Sequence, residues 1–228
     1  MKMRTPAYVH SPESYLNSLC AEFCTLEAVL FRLRDEGKID DPVERMKYIS
    51  IALLSSISSG IENQSLKSPL NPILGETLVV ETERGSILYA EQTSHHPPIS
   101  HVEFEGPPEF PFYLYGYLEF KLAVSKGFQA CYFSTPGKIF LKLPNNSVIE
   151  LGGKKIEVSG LLSSTKLFNV VETQTYRDIG KRINATITFD SSASKRTSYM
   201  MSWVKGSDKV NKETGVLDNR RDLVSILI

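Results

Sequence analysis

Residues Glu91-Gln92-Thr93-Ser94-His95-His96-Pro97-Pro98 place two of the chain's four histidines side by side, immediately before two prolines. Each proline lacks an N–H and has its φ fixed, so a strand must end there or become an edge. His96, preceding a proline, is pushed toward extended geometry. Two imidazoles held in this way can donate hydrogen bonds to a phosphate, and a nearby dianion favours their protonated, doubly donating form. Two other chemistries compete with anion binding, along with a structural pair whose hydrogen bonds are satisfied internally. A zinc site needs three or four ligands; His101 is a candidate third, but the cysteines are remote in sequence and no HExxH spacing occurs. A catalytic base needs a nucleophile and an orienting acid. Ser94 and Glu91 are near in sequence, but neighbours on a strand face opposite sides, and the Gly-x-Ser-x-Gly elbow is missing.

A second constellation lies upstream, in Leu66-Lys67-Ser68-Pro69-Leu70-Asn71-Pro72-Ile73-Leu74-Gly75-Glu76-Thr77. Two prolines and a glycine define a turn there. Asn71 can donate its side-chain amide, and Lys67 offers a point charge for a phosphate. This loop leads into a hairpin whose second strand ends at the histidines, so the two polar corners are expected on one rim.

The elements that must position these corners can be read from pattern. Ser11 as cap, Pro12 and Glu13 start a helix whose apolar residues are Tyr15, Leu16, Leu19, Cys20, Phe23, Leu26, Leu30 and Leu33, with Gly37 ending it. Asp41 as cap, Pro42 and Glu44 start a second helix with a stripe of Val43, Met46, Ile49, Leu53 and Ile57. After Ser59 the pattern becomes strand-like. Thr77–Thr82 and Ile87–Gln92 flank the turn Glu83-Arg84-Gly85-Ser86. Further strands are predicted at Ile99–Phe104, Phe112–Val124, Phe128–Phe133, Lys138–Leu143, Val148–Leu151, Lys154–Val158, Leu167–Thr173, Ile183–Phe189 and Ser198–Val204. Many short strands without βαβ alternation imply an antiparallel sheet that curls. Pro107, Pro108 and Pro111 around Phe110 and Phe112 mark a crossing of the sheet edge, with an exposed lipid-touching aromatic loop as the alternative. The state of Lys205–Ile228 is open.

Bulk composition narrows the partners. The 228 residues carry 26 basic and 26 acidic side chains, a formal net charge of zero, and no basic stripe, so nucleic acid is not an expected partner and anion recognition must be local. Cys20, Cys24 and Cys131 are an odd number without paired spacing, which fits a reducing compartment; Cys20 and Cys24 read as core residues of one helix. Met1–Pro12 lacks the apolar block of a signal peptide. The stretch Ile49–Ile61 is interrupted by five serines and a glycine and is too short to span a bilayer. A cytoplasmic protein with at most peripheral membrane association is expected.

The string EQTSHHPP resembles the fingerprint of the oxysterol-binding protein family of lipid-transfer proteins. The stretches DPVERMKYISIALLSSISS (residues 41–59) and NPILGET (71–77) are similar to that family's lipid-binding domain, SPESYLNSLCAEF (11–23) to its lid and first helix, and KIFLKLP (138–144) to a family strand and turn. The resemblance is strong over residues 10–145 and weaker to about 190. It implies a mainly β protein with amino-terminal helices, a large antiparallel β-barrel enclosing a lipid tunnel. It implies one bound sterol or glycerophospholipid, exchanged between membranes for phosphatidylinositol 4-phosphate, without cofactor, metal or catalysis. The headgroup would be bound by His95 and His96, oriented by Asn71 and given charge by Lys67. The family has lysine directly before the proline of this loop, where Ser68 stands here, so Lys67 sits one residue early. By this reading residues 1–228 form a single domain, truncated at the carboxy terminus and with an incomplete barrel: a lid and helical segment over 1–60, the barrel over 61–204 and a divergent tail over 205–228. A phosphoinositide sensor that does not transport lipid is the runner-up, and a histidine-dependent lipid hydrolase a distant third.

Overall fold

The computed structural model describes residues 10–63, 68–125, 130–159, 167–170, 174–180, 183–190, 197–205 and 211–217. A short strand β1 (His10–Ser14) precedes helix α1 (Tyr15–Asp35) and helix α2 (Pro42–Asn63), and β2 (Ser68–Leu70) pairs in parallel with β1. Fourteen strands follow: β3 (Thr77–Glu81), β4 (Ile87–His95), β5 (Pro98–Glu105), β6 (Tyr113–Glu119), β7 (Lys121–Val124), β8 (Ala130–Ser134), β9 (Gly137–Lys142), β10 (Val148–Leu151), β11 (Lys155–Ser159), β12 (Leu167–Val170), β13 (Gln174–Asp178), β14 (Ile183–Asp190), β15 (Thr197–Lys205) and β16 (Asn211–Leu217). Ten of them form one antiparallel sheet in the order β16-β15-β14-β13-β10-β9-β6-β5-β4-β3, and four form a second in the order β12-β11-β8-β7. The predicted mainly β fold with leading helices is the fold observed. Over the described residues β3 and β16 do not pair, so the large sheet is not closed.

The two sheets are one wall bent at a corner. The sequence reads Phe112–Val124 as a single strand; the chain instead leaves β6, turns at Phe120 and enters the second sheet as β7. The chain bends likewise between β8 and β9 at Pro136, and between β10 and β11 at Gly152-Gly153. The corner is held by Glu119 N–H to the Pro136 carbonyl (2.6 Å) and Thr135 N–H to the Lys154 carbonyl (2.9 Å). A Cβ at Gly137 would overlap the Tyr117 carbonyl oxygen, and one at Gly153 the Thr135 carbonyl oxygen. Only glycine lets the strands approach this closely while the sheet turns.

The inner face of the large sheet is apolar. Leu88 and Ala90 on β4, Val102 and Phe104 on β5, Leu114 on β6, Ile139 and Leu141 on β9, Ile149 on β10 and Ile183 on β14 are all buried. Both helices pack on this face, α1 against β3 and β4 and α2 against β13 and β14. The predicted stripe of α1 is buried from Leu16 to Leu33, and Met46, Ile49 and Leu53 of α2 join it. Cys20 lies in this core, where burial pushes its thiol pKa up to about 12; burial also raises that of Cys24, so both act as packing residues. Phe110 and Phe112 are buried too, with Phe110 edge-on to Phe31 at 5.3 Å. The exposed aromatic loop considered from sequence is therefore excluded, because these rings close the end of the core.

Helix boundaries follow local chemistry with one correction. Ser14, not Ser11, caps α1, accepting a hydrogen bond from Leu16 N–H, because residues 10–14 are taken up in β1. At the other end Lys38 N–H reaches the Leu33 carbonyl and Gly37 N–H that of Arg34, with Gly37 at φ +67°: a Schellman ending. Asp41 caps α2 as expected, accepting from Val43 and Glu44 N–H. The interhelix turn is further tied by Glu36, which accepts from Arg32, Lys38 and Tyr48; these bonds hold its carboxyl pKa near 2. The strands β1, β2 and β13 are not among those predicted from sequence. The sequence pattern left Lys205–Ile228 open, and residues 211–217 of that segment pair with β15.

One polar pair crosses the core. Arg45 on α2 donates through Nη1 to the Ile39 carbonyl at 2.6 Å and through Nη2 to Asp178 on β13, and both side chains are 0% exposed. Removing one partner leaves a buried charge unpaired. Asp178→Ala is expected to lower stability by about 3–5 kcal/mol in chemical denaturation, and Arg45→Met/Asp178→Leu to recover most of that loss. At the interhelix turn, the carboxylate of Glu36 is favoured in the folded state, so its contribution is full above its ordinary value of about 4.5 and is lost as pH falls toward 2. Glu36→Gln is expected to flatten the acid limb of a stability–pH curve over that window, with the variant less stable than the parent at pH 7 and level with it near pH 2.

Candidate functional site

The histidines stand at the tip of the β4–β5 hairpin. His95 is the last residue of β4 and pairs with Pro98, the first of β5, leaving His96-Pro97 as a two-residue connection with a cis peptide bond between them. Past the predicted strand Ile87–Gln92, β4 runs on to His95, so the second strand of the hairpin does end at the histidines, with a register shift between Gln92 and Ser94. The His95 and His96 rings lie 4.7 Å apart between centroids, inclined at 58°, with His96 exposed and His95 half-buried.

The upstream loop is brought to the same corner. The His95 Nδ1 lies 3.2 Å from the Pro72 carbonyl oxygen, directly after Asn71. A carbonyl only accepts, so this contact places the proton on Nδ1 and leaves Nε2 as the free edge of the ring. Nε2 then donates to an anion only when the ring carries its second proton. Asn71 is exposed beside this contact. Lys67, the fourth expected member, lies outside the described residues. The proposed third zinc ligand, His101, sits on the exposed face of β5. It pairs with Glu91, its Nδ1 is 2.7 Å from Thr93 Oγ1, and its ring packs toward Tyr117. Among the described residues no group of three metal-ligating side chains occurs.

What holds the two segments together is Gln92, to which the sequence reading assigned no role. Its backbone pins the loop: Gly75 N–H donates to the Gln92 carbonyl at 2.8 Å, and Gln92 N–H to the Glu76 carbonyl at 2.9 Å. Its side chain, 1% exposed, donates to the Ser94 carbonyl at 2.9 Å and accepts from the Ser100 hydroxyl at 2.5 Å. Gly75 adopts φ +80°, a conformation open to glycine, and Glu76 folds back to accept from Ile73 N–H at 3.0 Å. The signal in the sequence was a glutamine at an inward position of the alternation Leu88, Ala90, Gln92. A buried amide needs partners on both ends, and these partners set the hairpin tip.

The family model described as oxysterol-binding protein matches residues 1–216, beyond the point where the resemblance of motifs fades. Human oxysterol-binding protein-related protein 7 is 41% identical over 108 residues, covering 46% of this chain and 12% of that protein. Oxysterol-binding protein 9 of Dictyostelium discoideum is 41% identical over 69 residues, covering 30% and 15%. The chain thus spans a small part of the curated relatives it matches. Among solved structures, the Osh3 ORD of Saccharomyces cerevisiae in complex with PI(4)P superposes with a TM-score of 0.76 at 19% identity, over 96% of this chain and 58% of that one. The Osh1 ORD domain in complex with cholesterol superposes with a TM-score of 0.71 at 18% identity, over 93% and 52%. These likenesses show a shared fold. No helix among the described residues is long and apolar enough to cross a membrane.

Gln92→Leu keeps the apolar alternation but strips partners from the Ser94 carbonyl and the Ser100 hydroxyl. It is expected to cost about 1–3 kcal/mol. It is also expected to speed amide exchange selectively at Gly75 and at residue 92, the two amides that join loop and strand, as read by hydrogen–deuterium exchange.

Proposed function

Because this chain belongs to the oxysterol-binding protein family, we propose that it binds a sterol or glycerophospholipid and exchanges it between membranes for phosphatidylinositol 4-phosphate. The observation that carries this reading is the joined pair of histidines at the rim, backed by the Asn71 loop. Family membership supports lipid binding and transfer in general; the named lipids are supported by the ligands of the Osh3 and Osh1 domains. His95 and His96 take the phosphate, Asn71 orients it, and Lys67 adds charge. Residues 1–60 supply the lid and inner helices, and 61–204 the wall around the lipid. The protein works in the cytoplasm, as a peripheral visitor to membranes. No bond is made or broken in this cycle.

The physical demand is simple. An acyl chain or sterol exposed to water loses roughly 0.8 kcal/mol per methylene, so a carrier must enclose it. The phosphate needs charge-assisted donors at the rim, outside the apolar interior. With Nδ1 of His95 committed to the Pro72 carbonyl, a dianion recruits a second proton to Nε2, so headgroup binding and proton uptake are coupled.

The test is extraction from donor liposomes holding either a sterol or phosphatidylinositol 4-phosphate. The parent chain is expected to bring both into solution, and His95→Ala/His96→Ala to lose the phosphoinositide by at least about tenfold while keeping the sterol. Calorimetry of a short-chain phosphoinositide in buffers of different ionisation enthalpy is expected to show net proton uptake, abolished in the double variant. Vesicle binding without extraction would identify a sensor instead. Hydrolysed lipid ester in the same tubes would overturn the non-catalytic reading.

A further inference from the structure

The loop that abuts His95 carries two exposed apolar side chains at its tip: Ile73 is 70% exposed and Leu74 is 65% exposed. Single exposed apolar residues are ordinary on protein surfaces; the setting of this pair is not. Asn71-Pro72-Ile73-Leu74-Gly75 contains no ionised group. The adjacent carboxylate, Glu76, is turned back onto Ile73 N–H, inside the loop. Two backbone bonds to Gln92 hold the loop at its base, which lowers the backbone ordering cost of presenting the pair at docking. Leu70, at the entrance to the loop, is also exposed.

The other flank of the hairpin is similar. Phe120 N–H donates to the Pro98 carbonyl at 2.9 Å, which places the start of β7 beside the histidine tip. All four residues of β7 are exposed, among them Leu122 at 55% and Val124. Among the described residues β7 has a strand partner on one side only, β8, and the β4–β5 hairpin has already turned back at His96-Pro97. The phosphate donors therefore stand between two exposed apolar edges at one end of the wall.

We propose that this end is a membrane-docking face. In it Ile73 and Leu74 act as a rigid anchor that inserts into the acyl region, while His95 and His96 remain at the depth of the lipid headgroups. The occupant is a lipid bilayer. An apolar anchor beside phosphate donors matches the layered chemistry of a bilayer surface, and a protein partner would not require that layering. The inference rests on the headgroup reading only for what the histidines meet, since the anchor binds lipid with or without a phosphoinositide.

The experiment is sedimentation of the whole chain with phosphatidylcholine vesicles, with and without phosphatidylinositol 4-phosphate. Ile73→Ser/Leu74→Ser is expected to weaken binding to both vesicles by about tenfold or more. It is expected to keep the parent's thermal midpoint and its binding of a water-soluble short-chain phosphoinositide. Leu74→Trp is expected to show, relative to the parent spectrum, a blue-shifted emission that brominated phosphatidylcholine quenches. His95→Ala/His96→Ala is expected to keep the anchor and its binding to phosphatidylcholine, losing only the increment due to the phosphoinositide. If that increment persists, the headgroup reading fails and the anchor stands. Unchanged vesicle binding by the serine variant overturns the anchor. So does a Leu74→Trp emission that vesicles do not move, or a parent chain that binds neither vesicle. A parent dimer that the serine variant dissolves overturns it too, by assigning the pair to a second copy.

Discussion

Arg45 and Asp178 are bonded across 133 residues of sequence, and both are fully enclosed. A guanidinium and a carboxylate cannot be left in such a place separately, since the desolvation of either alone exceeds what neighbouring apolar contacts return. The pair therefore fixes α2 against β13, at the far side of the sheet from the histidines. Through the interhelix turn, with Arg45 also holding the Ile39 carbonyl, it fixes α1 as well. With both helices packed on the sheet, the inner face of β4 and β5 is apolar up to Gln92 and Ser100, where the core gives way to a polar junction.

That junction explains why a short hairpin end can be rigid. A strand approaching a rim normally frays, because its last backbone groups lack partners. Here the partners are supplied from two directions. The Asn71–Glu76 loop bonds the backbone of Gln92, and the Gln92 side chain bonds Ser94 and Ser100. The histidine pair is thus carried on a backbone whose polar groups are satisfied, and His95 is oriented by one more carbonyl, that of Pro72. The corner of the wall acts in the same sense. Because β6 continues past the hairpin as β7, the tip lies beside a strand that reaches beyond it.

Much of this was legible from residues alone. Helix α2 could be placed from Asp41 and Pro42, since capping is a local bond between a side chain and an amide two or three residues away. The β3–β4 hairpin could be placed from Gly85, which adopts φ +81° as its turn requires. The start of α1 was misplaced because Ser11 and Ser14 are equally good caps by type. The choice between them was made by β2, distant in sequence, which pairs with His10–Ser14. The long strand drawn through Phe120 failed for a related reason. Between Phe112 and Val124 the one strand-weakening residue is Gly116, which lies inside β6 and not at the bend; the bend appears where Gly137 and Gly153 let neighbouring strands close in.

The chemistry available at the rim is written in the order of residues. Adjacent histidines before two prolines, and an Asn-Pro loop ahead of them, state which donors exist and that the chain must turn there, because side-chain type and proline geometry are local properties. The core-facing stripes are written there too, since their period is a property of that order. That Pro72 meets His95, that Gln92 is the joint, that Ile73 and Leu74 project beside the histidines, and that Arg45 finds Asp178 are outcomes of the folded chain. Each of these is a contact between segments distant in the chain. Their energies depend on burial and approach, which exist only after the sheet and its helices have packed together.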